Sequence, residues 1–253
     1  GATATKSVKE ASSEVDFVVT MVPVGSNVRE VFLDDGILAA AAPGTVMIDS
    51  STIDVGSAQA VHEAAKLAGF NMIDAPVSGG VIGADAGTLT FMCGGDKDSF
   101  EKAKPILQSM GKNIVHCGSG GLGQATKICN NMLAGINALA AAEAMTMGER
   151  LGVSPDILYE VISTSTGRSY IFDTSNPMPN VCSTSPANNN FKPGFMAKLM
   201  LKDLRLSQAA AQDAKTSTPL GAAATSAFQQ LIDSGFGDLD TSSIIKVIKP
   251  QSK

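Results

Sequence analysis

Short apolar runs alternate with stretches of helical period through the first half of the chain, and then the alternation stops. Residues 17–22, 45–49, 71–75, 88–93 and 114–117 are brief, β-branched or apolar runs bounded by Gly, Pro, Asp or Ser, which predicts strands. Between them, apolar positions recur with helical spacing over 26–32, 57–68 and 98–110. Strand signals cease from residue 121. A helix over 123–151 would run about 40 Å at 1.5 Å per residue; Gly152 is its natural stop, and Ser154-Pro155 offers the next helix a cap and an N1 proline. Residues 166–192, rich in Ser, Thr, Asn and Pro, read as a long loop, and helical periods return over 196–213, 219–233 and 242–247. The pattern predicts an α/β layer with mostly parallel strands over 1–118 and an all-α domain with a long central helix over 119–253.

Composition narrows the function classes. The 253 residues are 44% apolar and 17% charged, enough to bury a substantial core. A net charge of −5, few aromatic residues and no Trp leave neither a basic footprint nor a stacking platform for nucleic acid. No apolar run reaches the length of a membrane span. Cys93, Cys117, Cys129 and Cys182 lack C-x-x-C spacing and the histidines are His62 and His116, so a metal site is not expected. Scattered cysteines need no disulfide framework, which makes a reducing compartment the default. Cys129, off the face shared by Lys127 and Asn131, reads as a small core residue.

Two segments carry candidate chemistry. GLGQATKICNNML, residues 121–133, places Lys127 and Asn131 four positions apart on one helix face. Taken alone, a solvated lysine beside a hydrogen-bonding asparagine accounts for the pair. Asp74-Ala75-Pro76-Val77-Ser78-Gly79-Gly80 offers a hydroxyl and consecutive backbone N–H groups unshielded by Cβ atoms. That makes either a nest for a carboxylate or phosphate or an ordinary glycine turn.

With Thr20-Met21-Val22-Pro23, Asp49-Ser50-Ser51-Thr52-Ile53-Asp54 and Met200-Leu201-Lys202-Asp203-Leu204, these segments stand in an order that resembles the β-hydroxyacid dehydrogenase family from about residue 15 onward. The resemblance implies a Rossmann-like domain followed by the helical one, and an NAD-dependent oxidoreductase acting on a small hydroxy acid. Its motif order points to 3-hydroxyisobutyrate, oxidised to methylmalonate semialdehyde in valine catabolism. On this resemblance Lys127 is the catalytic acid/base, a role that suits a lysine whose pKa burial brings toward the operating pH. Asn131 orients the substrate, and Ser78, Gly79 and Gly80 bind its carboxylate. Val22, Pro23, Asn27, Thr52 and Lys202 contact the cofactor; Phe195 is grouped with them, closing over the bound substrate. Read alone, Lys202-Asp203 is an exposed charged patch, Phe195 is equally a core residue, and Arg168 belongs on the surface. The resemblance also implies a homo-oligomer joined through the helical domain, placed in the mitochondrial matrix of a eukaryote or the cytoplasm of a bacterium. The aromatic placement over 166–170 departs from the family pattern. It keeps open a tartronate or succinic semialdehyde reductase; a non-catalytic interaction protein that keeps the fold and an inactive truncated fragment stand beside these as alternatives.

Gly118-Ser119-Gly120-Gly121-Leu122-Gly123 spells G-x-G-x-x-G after a strand-like run. A dinucleotide fingerprint also needs an acidic residue ending a second strand roughly 20 positions on. Here that position falls in an alanine-rich helical stretch around Glu143. The string therefore reads as the hinge into the helical domain. The family's own glycine turn, and the residue that chooses between NAD and NADP, are expected upstream of Gly1.

Overall fold

The computed structural model describes residues 2–34 and 36–249, and the chain forms two compact units that divide between Ile128 and Cys129. In the first unit, the strands among the described residues are β1 (Phe17–Thr20), β2 (Val46–Asp49), β3 (Asn71–Asp74), β4 (Val77–Ser78), β5 (Leu89–Gly94) and β6 (Gly111–Gly118). They form one sheet in the order β1-β2-β3-β5-β4, with β6 also paired to β5. The pairs β1–β2, β2–β3 and β5–β6 are parallel, whereas β5 runs antiparallel to both β3 and β4. Pro76 has no N–H to donate, so the edge breaks between β3 and β4.

The helices of this unit are α1 (Val8–Ser12), α2 (Gly25–Arg29), α3 (Ile37–Ala40), α4 (Val55–Leu67), α5 (Gly80–Asp85) and α6 (Lys97–Gln108). Alternation along the strands explains why the sheet is covered on both faces. Val18, Met47 and Met72 join one cluster with Ala58, Val61 and Ala65 of α4. Val46, Ile48 and Ile73 join another with Phe100, Ala103 and Leu107 of α6. Strands buried on both faces read as continuous apolar runs, which is how β2 looks in the sequence. Asp54 caps α4 by accepting from the Ser57 N–H at 2.7 Å, and Asp96 caps α6 through the Ser99 N–H at 2.8 Å. The helix expected over 26–32 ends earlier, at Arg29, and continues as a π-helical turn, Glu30–Asp34, with Val28 and Phe32 both fully buried.

A long helix, α7 (Leu122–Arg150), contains the division between units, because its first turns are tied to the sheet. The second unit is helical: the rest of α7, then α8 (Pro155–Ser163), α9 (Tyr170–Thr174), α10 (Ala197–Asp213), α11 (Pro219–Leu231) and α12 (Ile245–Ile248). The expected α/β layer followed by an all-α region with a long helix is the observed architecture. The core of the second unit gathers Ala138, Ala142, Met145, Met200, Leu204, Phe228 and Leu231. Small residues let α10 approach α7; a Cβ on Gly135 would lie 2.9 Å from the Leu204 side chain. The stretch expected to be a plain loop holds α9 and a 3-10 turn, Pro186–Asn189. Ser169 caps α9, and the buried Phe172 pins it to the core.

Candidate active site

Asp74, the last residue of β3, is fully buried, and its carboxylate is surrounded by donors. It accepts from the Gly121 N–H at 2.7 Å and the Gln124 N–H at 2.8 Å, and His62 Nε2 lies 2.9 Å away. The chain's own carboxylate thus occupies the positive N-terminal end of α7, the place where a phosphate would otherwise be received. A Cβ on Gly120 would come within 2.6 Å of the His62 ring, and one on Gly123 would collide with the Met92 carbonyl. The glycines of 118–123 therefore serve close packing between helix and sheet. They do not cradle a pyrophosphate.

Anchoring this turn places the next one. Lys127, only 7% exposed, donates from Nζ to the Val77 carbonyl at 2.6 Å. Its ammonium group is thereby fixed at the head of the segment Ser78-Gly79-Gly80. Gly79 and Gly80 have φ values of 135° and 62°, a region costly for residues with a Cβ. Both glycines are exposed and Ser78 is half-buried, so a hydroxyl and glycine N–H groups stand beside the lysine within one unit. Gly79 also precedes α5, a short helix concealed in the sequence by the glycines of Gly80-Val81-Ile82-Gly83.

The candidate cofactor segments follow the carboxyl ends of parallel strands, where open α/β sheets receive ligands. Thr20, Asp49 and Asp74 stand in register across three strand ends. The Val22 N–H donates to Ser51 Oγ at 2.8 Å, binding the loop after β1 to the loop after β2. Pro23 is exposed, Asn27 and Thr52 are half-buried, and Asn27 Nδ2 lies 3.4 Å from Glu30 Oε2. Met21 and Val24, 71% and 41% exposed, flank Val22 and Pro23 with apolar surface. Exposed apolar surface and polar backbone thus stand side by side at the carboxyl edge of the sheet, where Val22, Pro23, Asn27 and Thr52 also lie. Burial raises the Asp49 carboxyl above its usual range. Hydrogen bonds from Ser51 and Thr20 oppose this, and the nearby Asp74 charge adds to it.

In the second unit, Asn131 donates from Nδ2 to Asp203 Oδ2 at 2.6 Å, and Lys202 Nζ lies 3.2 Å from Asp203 Oδ1. Asp203 is 2% exposed, so Lys202-Asp203 is not the solvated patch that the two residues alone suggest. Phe195 packs on the helical core, its N–H held by Asp240 Oδ2 at 3.0 Å. Arg168 is on the surface, paired with Asp173 at 2.6 Å. Cys129 is exposed, which corrects its expected place in the core; helix rotation turns it outward while Ile128 is buried. The structure thus brings Lys127 to Val77 and Val22 to Ser51, and in the other unit Asn131 and Lys202 to Asp203. Sequence reasoning missed Asp74 and His62 as supports, and also Gln124. His62 meets Asp74 across 12 residues, and the partners that Asp74 and Gln124 find in the helix and the loop lie 47 to 73 residues away, beyond any local signal. Among the described residues, no group of three or more His, Cys, Asp or Glu is placed to hold a metal ion.

Comparisons with known proteins find relatives over nearly the whole chain. A family model for the NAD binding domain of 6-phosphogluconate dehydrogenase matches residues 1–118. One described as NAD-binding of NADP-dependent 3-hydroxyisobutyrate dehydrogenase matches residues 121–248. An NAD-dependent L-serine dehydrogenase of Pseudomonas aeruginosa is 43% identical over 251 residues, covering 99% of this chain and 84% of the relative. The mitochondrial 3-hydroxyisobutyrate dehydrogenase of Mus musculus is 40% identical over 243 residues, 96% of this chain and 72% of the relative. The solved structure of Mycobacterium tuberculosis 3-hydroxyisobutyrate dehydrogenase with L-serine superposes with a TM-score of 0.91 at 44% identity, covering 97% of this chain and 83% of that one.

Proposed function

Since the chain belongs to the 3-hydroxyisobutyrate dehydrogenase family of NAD-dependent oxidoreductases, we propose that it oxidises 3-hydroxyisobutyrate to methylmalonate semialdehyde, with Lys127 as the acid/base. The observation that carries this reading is the 2.6 Å bond from Lys127 Nζ to the Val77 carbonyl, which sets the amine beside Ser78, Gly79 and Gly80. Oxidation removes a proton from the hydroxyl and a hydride from its carbon. The dinucleotide, when bound, supplies the hydride acceptor. The chain's own work is the rest. The Ser78 hydroxyl and the N–H groups of Gly79 and Gly80 bind the carboxylate, which orients the hydroxyl toward Lys127. The lysine, as the free amine, takes the hydroxyl proton, and in the reverse direction returns it from the ammonium form. The bond to the Val77 carbonyl fixes the nitrogen in place. Val22, Pro23, Asn27 and Thr52 hold the dinucleotide. Roles for Asn131 in orienting substrate, and for Lys202 and Phe195 at the cofactor, follow from the family resemblance. The reaction is a step of valine catabolism.

A second reading keeps the chemistry and changes the substrate to L-serine. The support is that one relative is named for that activity and a solved relative carries L-serine in its title. Both molecules are HOCH₂–CH(X)–COO⁻, with X a methyl group or an ammonium, so the carboxylate nest and lysine serve either. Initial rates with 3-hydroxyisobutyrate, L-serine, glycerate and 4-hydroxybutyrate as substrates decide between them; a kcat/KM highest for L-serine would replace the first reading.

No helix among the described residues is long and apolar enough to cross a membrane. The proposed compartment is the mitochondrial matrix for a eukaryotic source and the cytoplasm for a bacterial one. The helical unit supports a homo-oligomer: α8 exposes Ile157 and Val161, each 54%, one turn apart, α7 exposes Met147, and Leu151 just past its end is exposed too. Sedimentation equilibrium tests that assembly.

A further inference from the structure

Gln124 is fully buried one turn before Lys127, and every polar atom of its carboxamide is aimed at one short loop. Nε2 donates to the Ser51 carbonyl at 2.7 Å, and Oε1 accepts from the Ile53 N–H at 3.1 Å. These peptide groups flank Thr52, so the side chain grips the loop as a neighbouring strand would, with one donor and one acceptor. The same residue's backbone N–H donates to Asp74 Oδ2 at 2.8 Å. One residue therefore joins the catalytic helix, the β3 end that leads to Val77, and the loop that carries Thr52. The loop is bonded onward: the Ser51 hydroxyl accepts from the Val22 N–H. Resting on the function proposed above, we infer that Gln124 is a positioning residue that holds Thr52 and the adjoining Val22 loop in register with Lys127, so that cofactor and acid/base meet in one geometry.

A buried glutamine is an expensive way to fill space, because an unmet carboxamide carries a desolvation cost and an apolar side chain does not. Here both of its ends are met, and both by the cofactor segment. Replacing it removes a donor–acceptor pair without touching any residue assigned to substrate or cofactor.

The test compares the parent with Gln124→Met, which removes both bonds at similar size, and Gln124→Glu, which keeps the acceptor for Ile53 and loses the donor for Ser51. Amide exchange of peptides spanning residues 50–54, measured without cofactor, should quicken in both variants, more in Gln124→Met. The NADH dissociation constant by calorimetry should rise roughly tenfold in Gln124→Met, the size expected for two lost buried hydrogen bonds. In a cycle with Thr52→Val, the Gln124 effect on NADH should shrink to less than about half, because the two act through one contact. Full additivity, or NADH affinity unchanged while 50–54 exchange quickens, overturns the positioning role and leaves Gln124 a purely structural clasp. If Gln124→Met does not fold, Gln124→Glu carries the same comparison. A parent protein that binds no nicotinamide dinucleotide overturns the function reading and this inference with it. A parent that binds NADH while the variants match it overturns the inference alone.

Discussion

Lys127 Nζ donates to the carbonyl oxygen of Val77 at 2.6 Å, across 50 residues of sequence. The bond joins the two segments that carry the chemistry, and it depends on a carboxylate that touches neither partner. Asp74 ends β3 three residues before Val77 and holds the first turn of α7 just before Lys127. A helix and a strand end are thus fixed against one buried anion. The lysine inherits its place from that arrangement.

Asp74→Ala should destabilise the first unit by about 2–5 kcal/mol, because it leaves two buried N–H groups and the His62 ring without their acceptor. Urea unfolding monitored by circular dichroism reads the loss. A change under about 0.5 kcal/mol would mean that water replaces the carboxylate readily and that the cap is not what anchors α7.

Ser78→Ala should raise the KM for the hydroxy acid roughly tenfold, the size of a lost hydrogen bond to a charged group, with NADH affinity unchanged. The hydroxyl is assigned to the carboxylate and not to the dinucleotide. Weakened NADH binding at an unchanged KM would move Ser78 into the cofactor site.

Asp49 makes stability fall as pH rises. Burial raises its folded-state pKa above the ordinary value of 3.8, so below that value both states are protonated and nothing is lost. As pH climbs from there, the unfolded chain ionises first while the folded chain keeps its proton, and stability declines until the folded pKa is passed. Asp49→Asn removes that decline, since Asn has no proton to lose. Urea midpoints of parent and variant between pH 4 and 8 should diverge as the parent's contribution falls; parallel curves would contradict the burial argument.

Much of this was legible along the chain. The strands are apolar because both faces of the sheet are covered, as at Val46, Met47 and Ile48, and the helical periods over 57–68 and 98–110 find α4 and α6. Lys127 and Asn131 were legible as a pair because helical periodicity is local. The G-x-G-x-x-G string at 118–123 could be doubted from sequence, but only Asp74, 47 residues away from Gly121, explains what those glycines do. Gln124 gave no signal at all: a glutamine among helical residues looks solvated until the Ser51 and Ile53 peptides arrive against it. The antiparallel course of β5 was equally hidden, since strand direction depends on connections and not on composition. Glycine content likewise concealed α5, whose Gly80 and Gly83 lower helix propensity while tertiary contacts still hold the turn.

The most direct measurement of the central claim is NADH formation from 3-hydroxyisobutyrate by the parent and by Lys127→Met, followed at 340 nm beside an NADH titration of each. The parent should turn over, and the variant should lose about 10²–10⁴-fold in kcat while binding NADH as the parent does. A folded Lys127→Met protein that binds NADH and turns over within about threefold of the parent would show that the proton is handled elsewhere.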